Sequence, residues 1–445
     1  MIYILDLFNY LKYTEYKFNF KIFFVSTVFL FIFLLIRKTD IFYFDAYEYW
    51  ELSKNFHETA TIINYPLNIR GYLLPLIFSI FSQLNKNIHS NILFYLFQAI
   101  LSSTIFLFFI PYFVKTFFNT LKLNLFFVFN TYIIFLFFWW RYLLSPLSDI
   151  PALLFFFSSI FFIKKSSKYL LLSGFFIYAA INIRPSYIFC LPLIIIYIFY
   201  IKRNNLEIKN IFSFILGFII LAIPELLINI FLKKTFSILP SSNFAYEGVS
   251  LGIWQLKVGI YTLRYETFVN IMLRNCYGVF QKNPLIQDPD SIIINSISEY
   301  FIYIFSNLKK FILSVISHCF SIVTPLSNSP YISDPMDLKI FPYVSALIWS
   351  ISLSGIWNLK SHIKALRIVQ IFGIILLTSP SYLSLFVGIE SRFSITFHIA
   401  AYLLFAYLIS INYKWYKEFL FYAILTLIII SFTLIMNKNL TSCLR

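Results

Sequence analysis

Apolar runs of helix length recur along the whole 445-residue chain, separated by short polar segments rich in lysine. A helix needs about 20 mostly apolar residues to cross the hydrocarbon core of a bilayer. Because 60% of the residues are hydrophobic and only 12% are charged, a soluble domain is excluded. A membrane barrel is excluded too, since its strands alternate apolar and polar residues. The pattern predicts an all-α protein, a polytopic bundle of transmembrane helices.

The hydrophobic pattern predicts about eleven spans, with a range of ten to thirteen. They are Phe18–Ile36, Ile92–Val114, Leu123–Trp140, Leu147–Ile163, Tyr169–Ile183, Tyr187–Ile201, Ile211–Leu232, Ile340–Trp357, Ile368–Val387, Phe393–Ile411 and Phe419–Met436. Two further apolar stretches, 72–84 and 302–323, are interpreted as helices in the outer membrane interface, with a true span as the alternative for each. The chain then divides into an N-terminal transmembrane module (1–232), a large outer loop (233–339) and C-terminal transmembrane helices (340–445).

The distribution of charge predicts which side of the membrane each loop faces. With the N-terminus in the cytoplasm, sixteen lysines and arginines gather on the cytoplasmic side with only four acidic residues. The net charge of +16 thus reflects the membrane topology. The sequence has no compact basic segment with interleaved aromatic residues, so a nucleic-acid partner is not predicted. Most acidic residues fall on the opposite side, in the outer loops 37–91 and 233–339. Chemistry is therefore expected on the outer face.

The first outer loop opens with a pair of acidic residues directly after the first span. On a helix, Asp45 and Glu48 stand at i and i+3 and share a face, with Tyr49 one turn beyond Asp45. A carboxylate pair at the membrane surface is able to deprotonate the hydroxyl group of an acceptor, as group transfer onto an alcohol requires. The alternative is a solvated acidic turn flanked by the aromatic residues of the membrane interface.

Four further motifs follow in order along the chain. They are Asn64-Tyr65-Pro66 with Arg70-Gly71-Tyr72-Leu73-Leu74-Pro75, then Ser148-Asp149, Ile183-Arg184-Pro185-Ser186, and Glu390-Ser391-Arg392-Phe393. In this order and on this common side, they resemble the bacterial GT-C glycosyltransferases, the superfamily of the protein O-mannosyltransferases and the lipid A aminoarabinose transferase. The chain departs from that pattern at Ala46, where the family often has a second acidic residue beside the aspartate.

The resemblance implies an inverting glycosyltransferase of the bacterial cytoplasmic membrane, with its active site on the extracytoplasmic face. The donor would be a polyprenyl-phosphate sugar, and the acceptor a cell-surface glycan, lipid or protein. Arginine suits the donor phosphate because its planar fork makes bidentate, charge-assisted hydrogen bonds. The implied residues are Asp45 and Glu48 as catalytic carboxylates, Arg392, Arg184 and Arg70 as phosphate-binding groups, and Tyr49, Asp149 and Glu390 in support. Neither a cofactor nor a metal is predicted. The Asp-Pro segments at 288–290 and 334–337 are able to bind a divalent cation, but they are more typical of turns.

Two other classes of protein share parts of this pattern. An O-antigen-type polymerase or ligase also uses a lipid-linked donor, but it does not need the Asp45 loop. A flippase for lipid-linked oligosaccharides should carry charges along a membrane-buried cavity, whereas only Glu225 falls well within a predicted span. Glu225 is therefore either a functional group or a residue that bonds to a neighbouring helix.

Overall fold

The chain is largely helical in the computed structural model, which describes residues 15–38, 44–59, 70–84, 91–118, 123–165, 167–203, 207–240, 245–246, 249–264, 281–283, 286, 294–323, 341–359, 368–387, 391–410 and 424–432. The first helices are α1 (Phe20–Ile36), α2 (Phe44–Thr59), α3 (Leu73–Leu84), α4 (Ile92–Phe117), α5 (Leu125–Leu143), α6 (Asp149–Ile163), α7 (Leu170–Ile183), α8 (Cys190–Lys202) and α9 (Ile208–Phe231). They are followed by α10 (Leu251–Tyr261), α11 (Ile297–Ser306), α12 (Leu308–Val323), α13 (Phe341–Leu359), α14 (Ile368–Thr378), α15 (Ile395–Ser410) and a further helical stretch at 424–432. Short strands form two antiparallel pairs, β1 (Ala245–Tyr246) with β2 (Val249–Ser250) and β3 (Thr262–Arg264) with β4 (Gln281–Lys282).

These elements form two compact units. The first comprises α1 to α9 together with α14, and it includes the described residues as far as Pro240. The second comprises the four strands, α10 to α13 and α15. The start of the predicted outer loop, residues 233–240, belongs to the first unit because its backbone is bonded to α7 and α9. The Tyr178 hydroxyl donates to the Ile238 carbonyl oxygen at 2.7 Å, and the Asn229 amide donates to the Ser237 carbonyl oxygen at the same distance.

The membrane character predicted from composition is confirmed by the helices. Six described helices are long and apolar enough to cross a membrane, or seven if the bent pair α11–α12 is one span. Each of the eleven predicted ranges overlaps a described helix, but several helices are short, such as α6 with 15 residues and α7 with 14. At a rise of about 1.5 Å per residue, helices of this length extend for only about 20 Å, less than the hydrocarbon thickness.

Asparagine side chains begin three of the long helices. Asn19, Asn91 and Asn124 precede α1, α4 and α5, and each side-chain oxygen accepts a backbone N–H of the first turn, at 2.7 to 3.0 Å. An N-cap of this kind satisfies a donor that has no partner within the helix. Each of the three asparagines therefore stabilises the start of the helix that follows it.

The backbones of α7 and α9 approach each other closely at two glycines. A side-chain carbon at Gly174 would overlap the Phe214 carbonyl group, and one at Gly217 would overlap the Leu171 carbonyl group. Small residues at helix interfaces let membrane helices approach closely, which increases their van der Waals contact. The two helices run parallel, so their C-terminal ends, which carry Asn182 and Glu225, lie together.

The first unit has a basic end and an opposite end. At the basic end, Lys115 of α4 donates to the Tyr16 carbonyl oxygen at 3.2 Å, and Lys202 of α8 donates to the Lys165 carbonyl oxygen at 2.5 Å. At the opposite end, Leu73 at the start of α3 donates its N–H to Asn182 at 3.0 Å, and Asn91 donates to the Phe81 carbonyl oxygen at 2.7 Å. Both ends of α3 therefore lie at this opposite end, as the interface-helix interpretation of 72–84 expects.

The second apolar stretch, 302–323, is not one helix. It begins within α11, and α11 and α12 meet at Asn307 with a bend of 102°. The break falls at Asn307 because this residue leaves the helical conformation, at φ −127° and ψ 38°, and its N–H donates to the Tyr303 carbonyl oxygen. The lysines Lys309 and Lys310, which interrupt the apolar run in the sequence, lie on the first turn of α12.

The sidedness of the first unit is testable with reporter fusions. A fusion after Lys168 should read as cytoplasmic, and a fusion after Ser90 should read as external, because an odd number of crossings separates the two positions. The measurement is the activity of a reporter that works in only one compartment. If the fusion after Ser90 reads as cytoplasmic and the fusion after Lys168 reads as external, α3 crosses the membrane and the predicted sidedness is wrong.

Candidate functional site

The acidic pair predicted from the sequence lies at the start of α2. Asp45 is in the first turn of this helix, and Glu48 follows one turn later. The side chain of Asp45 is 20% exposed and that of Glu48 is 34% exposed, so both remain accessible. On the buried side of the helix, the Trp50 ring packs edge-on against Phe94 of α4 at 5.8 Å. This packing holds α2 against the helix bundle while its acidic face stays open.

Arg70 joins the two carboxylates. Its Nη2 donates to Asp45 Oδ1 and to Glu48 Oε2, the latter at 3.0 Å, and its Nε donates to Glu48 Oε2 at 3.1 Å. The guanidinium carbon lies 5.1 Å from the centre of the Tyr49 ring, within the range of a cation–π interaction. We call Asp45, Glu48, Tyr49 and Arg70 the Arg70 cluster. As the i, i+3 spacing predicts, the two carboxylates face the same partner.

The backbone after Arg70 is bound to α7 and α9. A side-chain carbon at Gly71 would overlap the backbone and side-chain oxygens of Asn182, so only glycine allows this approach. Leu73 N–H donates to Asn182 Oδ1 at 3.0 Å, and the Tyr72 hydroxyl donates to the Leu221 carbonyl oxygen at 2.9 Å. Burial raises the pKa of the Tyr72 phenol, which keeps it a proton donor. The position of Arg70 is thus determined by helices distant in sequence.

A second ion pair lies at the same end of the first unit. Arg184 Nη1 donates to Asp149 Oδ1, and the side chains are only 12% and 1% exposed. Asp149 is in the first turn of α6, where the helix dipole favours a negative charge. Arg184 follows the last residue of α7 and is extended, at φ −144° and ψ 102°, as expected of a residue before proline. Because Pro185 ends the helix here, Arg184 faces the start of the antiparallel helix α6.

Asn182 lies between the Arg70 cluster and the ion pair of Asp149 with Arg184. It lies two residues before Arg184, and its side chain binds both Leu73 of the Arg70 segment and Glu225 of α9. The sequence interpretation did not single out Asn182. A polar residue in the last turn of an apolar helix was the available signal, because polar residues are rare in membrane spans and usually have a buried partner.

Arg392 belongs to the second unit. It lies in a short 3-10 turn, Ser391–Ser394, just before α15, and it is 5% exposed. Its guanidinium carbon is 5.5 Å from the centre of the Phe393 ring. Glu390, the first residue of the motif, lies outside the described residues, as do the Asp-Pro segments at 288–290 and 334–337.

The chemistry available to the Arg70 cluster follows from its groups, which are accessible carboxylates that accept protons and a guanidinium that binds anions. Within the described part of the chain, no three His, Cys, Asp or Glu residues lie close enough together to hold a metal ion. Comparisons with protein-family models, with curated proteins and with solved structures find no match to this chain. A proposal about function therefore depends on the residues and their geometry.

Proposed function

We propose that the protein is a membrane glycosyltransferase that moves a sugar from a polyprenyl-phosphate donor to a hydroxyl group of a cell-surface glycan, lipid or protein. The observation that carries this proposal is the Arg70 cluster, in which two accessible carboxylates share one guanidinium at the acidic end of an apolar helix bundle. A base and a phosphate-binding cation are the two groups that such a transfer needs side by side.

In the proposed reaction, Asp45 accepts the proton of the acceptor hydroxyl while the acceptor oxygen forms a bond to the anomeric carbon. The bond between that carbon and the phosphate oxygen breaks, and its electron pair leaves with polyprenyl phosphate. A single displacement of this kind inverts the anomeric centre. Glu48 is the second carboxylate, which holds Arg70 beside the base.

The growing negative charge of the leaving phosphate requires cations. Arg70 binds the proposed base directly, and Arg184 lies at the same end of the first unit. Arg392, in the second unit, is a candidate because its motif resembles that of the GT-C glycosyltransferases. The apolar helices give the donor's lipid tail a bilayer in which to lie, while its phosphate stays at the surface.

A donor panel tests the proposal directly. Purified protein in lipid nanodiscs is incubated with radiolabelled polyprenyl-phosphate sugars and cell-envelope extract as the source of acceptor. We expect one donor to release polyprenyl phosphate and to label an acceptor. Absence of release with every donor and extract would contradict the proposal. Labelling only by a donor that carries a whole oligosaccharide repeat would instead indicate a polymerase or ligase.

A further inference from the structure

Glu225 is a carboxylate inside the apolar helix α9, about two turns before its C-terminal end. Its side chain is fully buried, and three protein groups surround it. Glu225 Oε2 accepts the Asn182 Nδ2–H at 2.9 Å and the Tyr72 backbone N–H at 3.4 Å, while Oε1 lies 3.7 Å from Lys233 Nζ. A carboxyl group at this depth is unfavourable unless it is bonded, and here each oxygen has a polar neighbour.

Lys233 reaches Glu225 because the chain reverses directly after α9. Lys234 has a φ of 55°, in the left-handed region that residues with a side chain rarely adopt. The N–H groups of Lys233 and Thr235 both donate to the Asn229 carbonyl oxygen, at 3.2 and 2.9 Å, which closes the turn. The Lys233 side chain is only 5% exposed, and burial lowers the pKa of its ammonium group. The pairing with Glu225 compensates part of that burial.

The same carboxylate binds the segment that carries Arg70. Tyr72 N–H lies two residues after Arg70, and the neighbouring Leu73 N–H is bound by Asn182, which Glu225 itself holds. Asn182 donates its side-chain N–H to Glu225 and accepts the Leu73 N–H with its oxygen, so its orientation is set by Glu225. We call Tyr72, Leu73, Asn182 and Glu225 the latch.

We propose that Glu225 is a positioning residue of the site, which fixes Arg70 against Asp45 and Glu48 by holding the latch in place. The catalytic part of this inference rests on the proposed glycosyl transfer. Glu225 touches no reacting atom in this proposal and acts through Tyr72 and Asn182. A displacement of about 1 Å in a catalytic group is sufficient to lower a rate about a hundredfold, so a loosened latch should affect turnover strongly.

The test uses the full-length protein in nanodiscs and two readouts. The first is hydrogen–deuterium exchange of the peptide that contains Tyr72 and Leu73, whose amides are donors in the latch and should be protected. The second is the rate of release of polyprenyl phosphate, separated into kcat and KM. Exchange does not depend on activity, so it reports on the latch even if the proposed reaction is wrong.

Three variants perturb the latch in different ways. Glu225→Ala removes both hydrogen bonds, and Gly71→Ala forces the Arg70 segment away from Asn182. The double variant Glu225→Gln with Lys233→Met removes both charges but keeps an amide oxygen that accepts the same two bonds. Replacing both partners of a buried ion pair is often nearly neutral, whereas removing one partner is not. Glu207→Gln, an exposed acid at the other end of α9, is the matched control.

We expect Glu225→Ala and Gly71→Ala to speed exchange at Tyr72 and Leu73 and to lower kcat about a hundredfold. The double variant and Glu207→Gln should keep both the exchange rate and kcat near the wild-type values. If the charge of Glu225 were what mattered, the double variant would instead lose activity. Unchanged exchange at these amides in Glu225→Ala would overturn the latch. Faster exchange with an unchanged kcat would overturn the positioning role, whereas an inactive wild type would contradict the glycosyl transfer alone. If Glu225→Ala does not fold, Gly71→Ala and the double variant still test whether the latch positions Arg70.

Discussion

Asp45→Asn is expected to abolish sugar transfer while the protein remains folded in the membrane. Asparagine has nearly the shape of aspartate and its amide oxygen still accepts a hydrogen bond from Arg70, but it takes up no proton. Loss of a positioned general base typically lowers a rate by about 10² to 10⁴. The measurement is the release of polyprenyl phosphate under saturating donor, compared with the wild type in the same nanodiscs. The KM for the donor should change far less than kcat.

Controls on the same helix make this result specific. Glu51→Gln changes an acidic residue of α2 that pairs with Lys54 at 2.7 Å and is 36% exposed, so its activity should match that of the wild type. Glu48→Gln should lower the rate less than Asp45→Asn, because Glu48 is assigned to hold Arg70. Near-normal turnover in Asp45→Asn would disprove the base assignment, and a larger loss in Glu48→Gln would move it to Glu48.

Arg184→Gln is expected to cause a large loss of stability. It leaves the Asp149 carboxylate, which is 1% exposed, without the guanidinium that binds it. Removing one partner of a buried ion pair typically costs about 3 to 5 kcal/mol, because an uncompensated charge remains buried. The measurement is the midpoint of thermal or denaturant-induced unfolding in one detergent. The loss should be visible without substrate, since the pair is formed in the protein itself.

A double-mutant cycle separates this ion pair from other effects of the substitution. Asp149→Asn combined with Arg184→Gln removes both charges and should be more stable than Arg184→Gln alone. Lys54→Gln, which breaks the exposed pair with Glu51, should change stability by only about 0 to 1 kcal/mol. If the double variant is as unstable as the sum of the two single variants, Asp149 and Arg184 do not stabilise each other.

Much of the fold follows from local signals. The apolar run that predicts the first span ends at Ile36, where α1 ends, and Asn19 caps the start of that helix. The length of an apolar run and the polar residues that interrupt it are properties of consecutive residues, so both can be read directly from the sequence. The bend between α11 and α12 is different. The lysines at 309 and 310 indicated an interruption, but the helix breaks two residues before them, at Asn307, and the bend of 102° is not a property of the hydrophobic pattern.

The sequence predicted which residues belong to the candidate site, but it did not predict which of them pair with one another. Helical periodicity places Asp45 and Glu48 on one face, and the charge pattern places Asp149 and Arg184 on one side of the membrane. Their partners were not predictable. Arg70 pairs with the acidic face of α2 because Tyr72 and Leu73 are bound by residues far along the chain.

The sequence by itself determined that the chain is a helical membrane protein, because hydrophobic length is a property of consecutive residues. That the acidic loops gather on one side of the membrane stays a prediction from the charge bias. Only the tertiary structure decided which charges neutralise one another. Asp45 and Glu48 pair with Arg70, Asp149 with Arg184, and Glu225 with Lys233. The physical reason is that an apolar interior requires each buried charge to have a bonded partner, and the packing of helices such as α7 on α9 decides which groups come within reach.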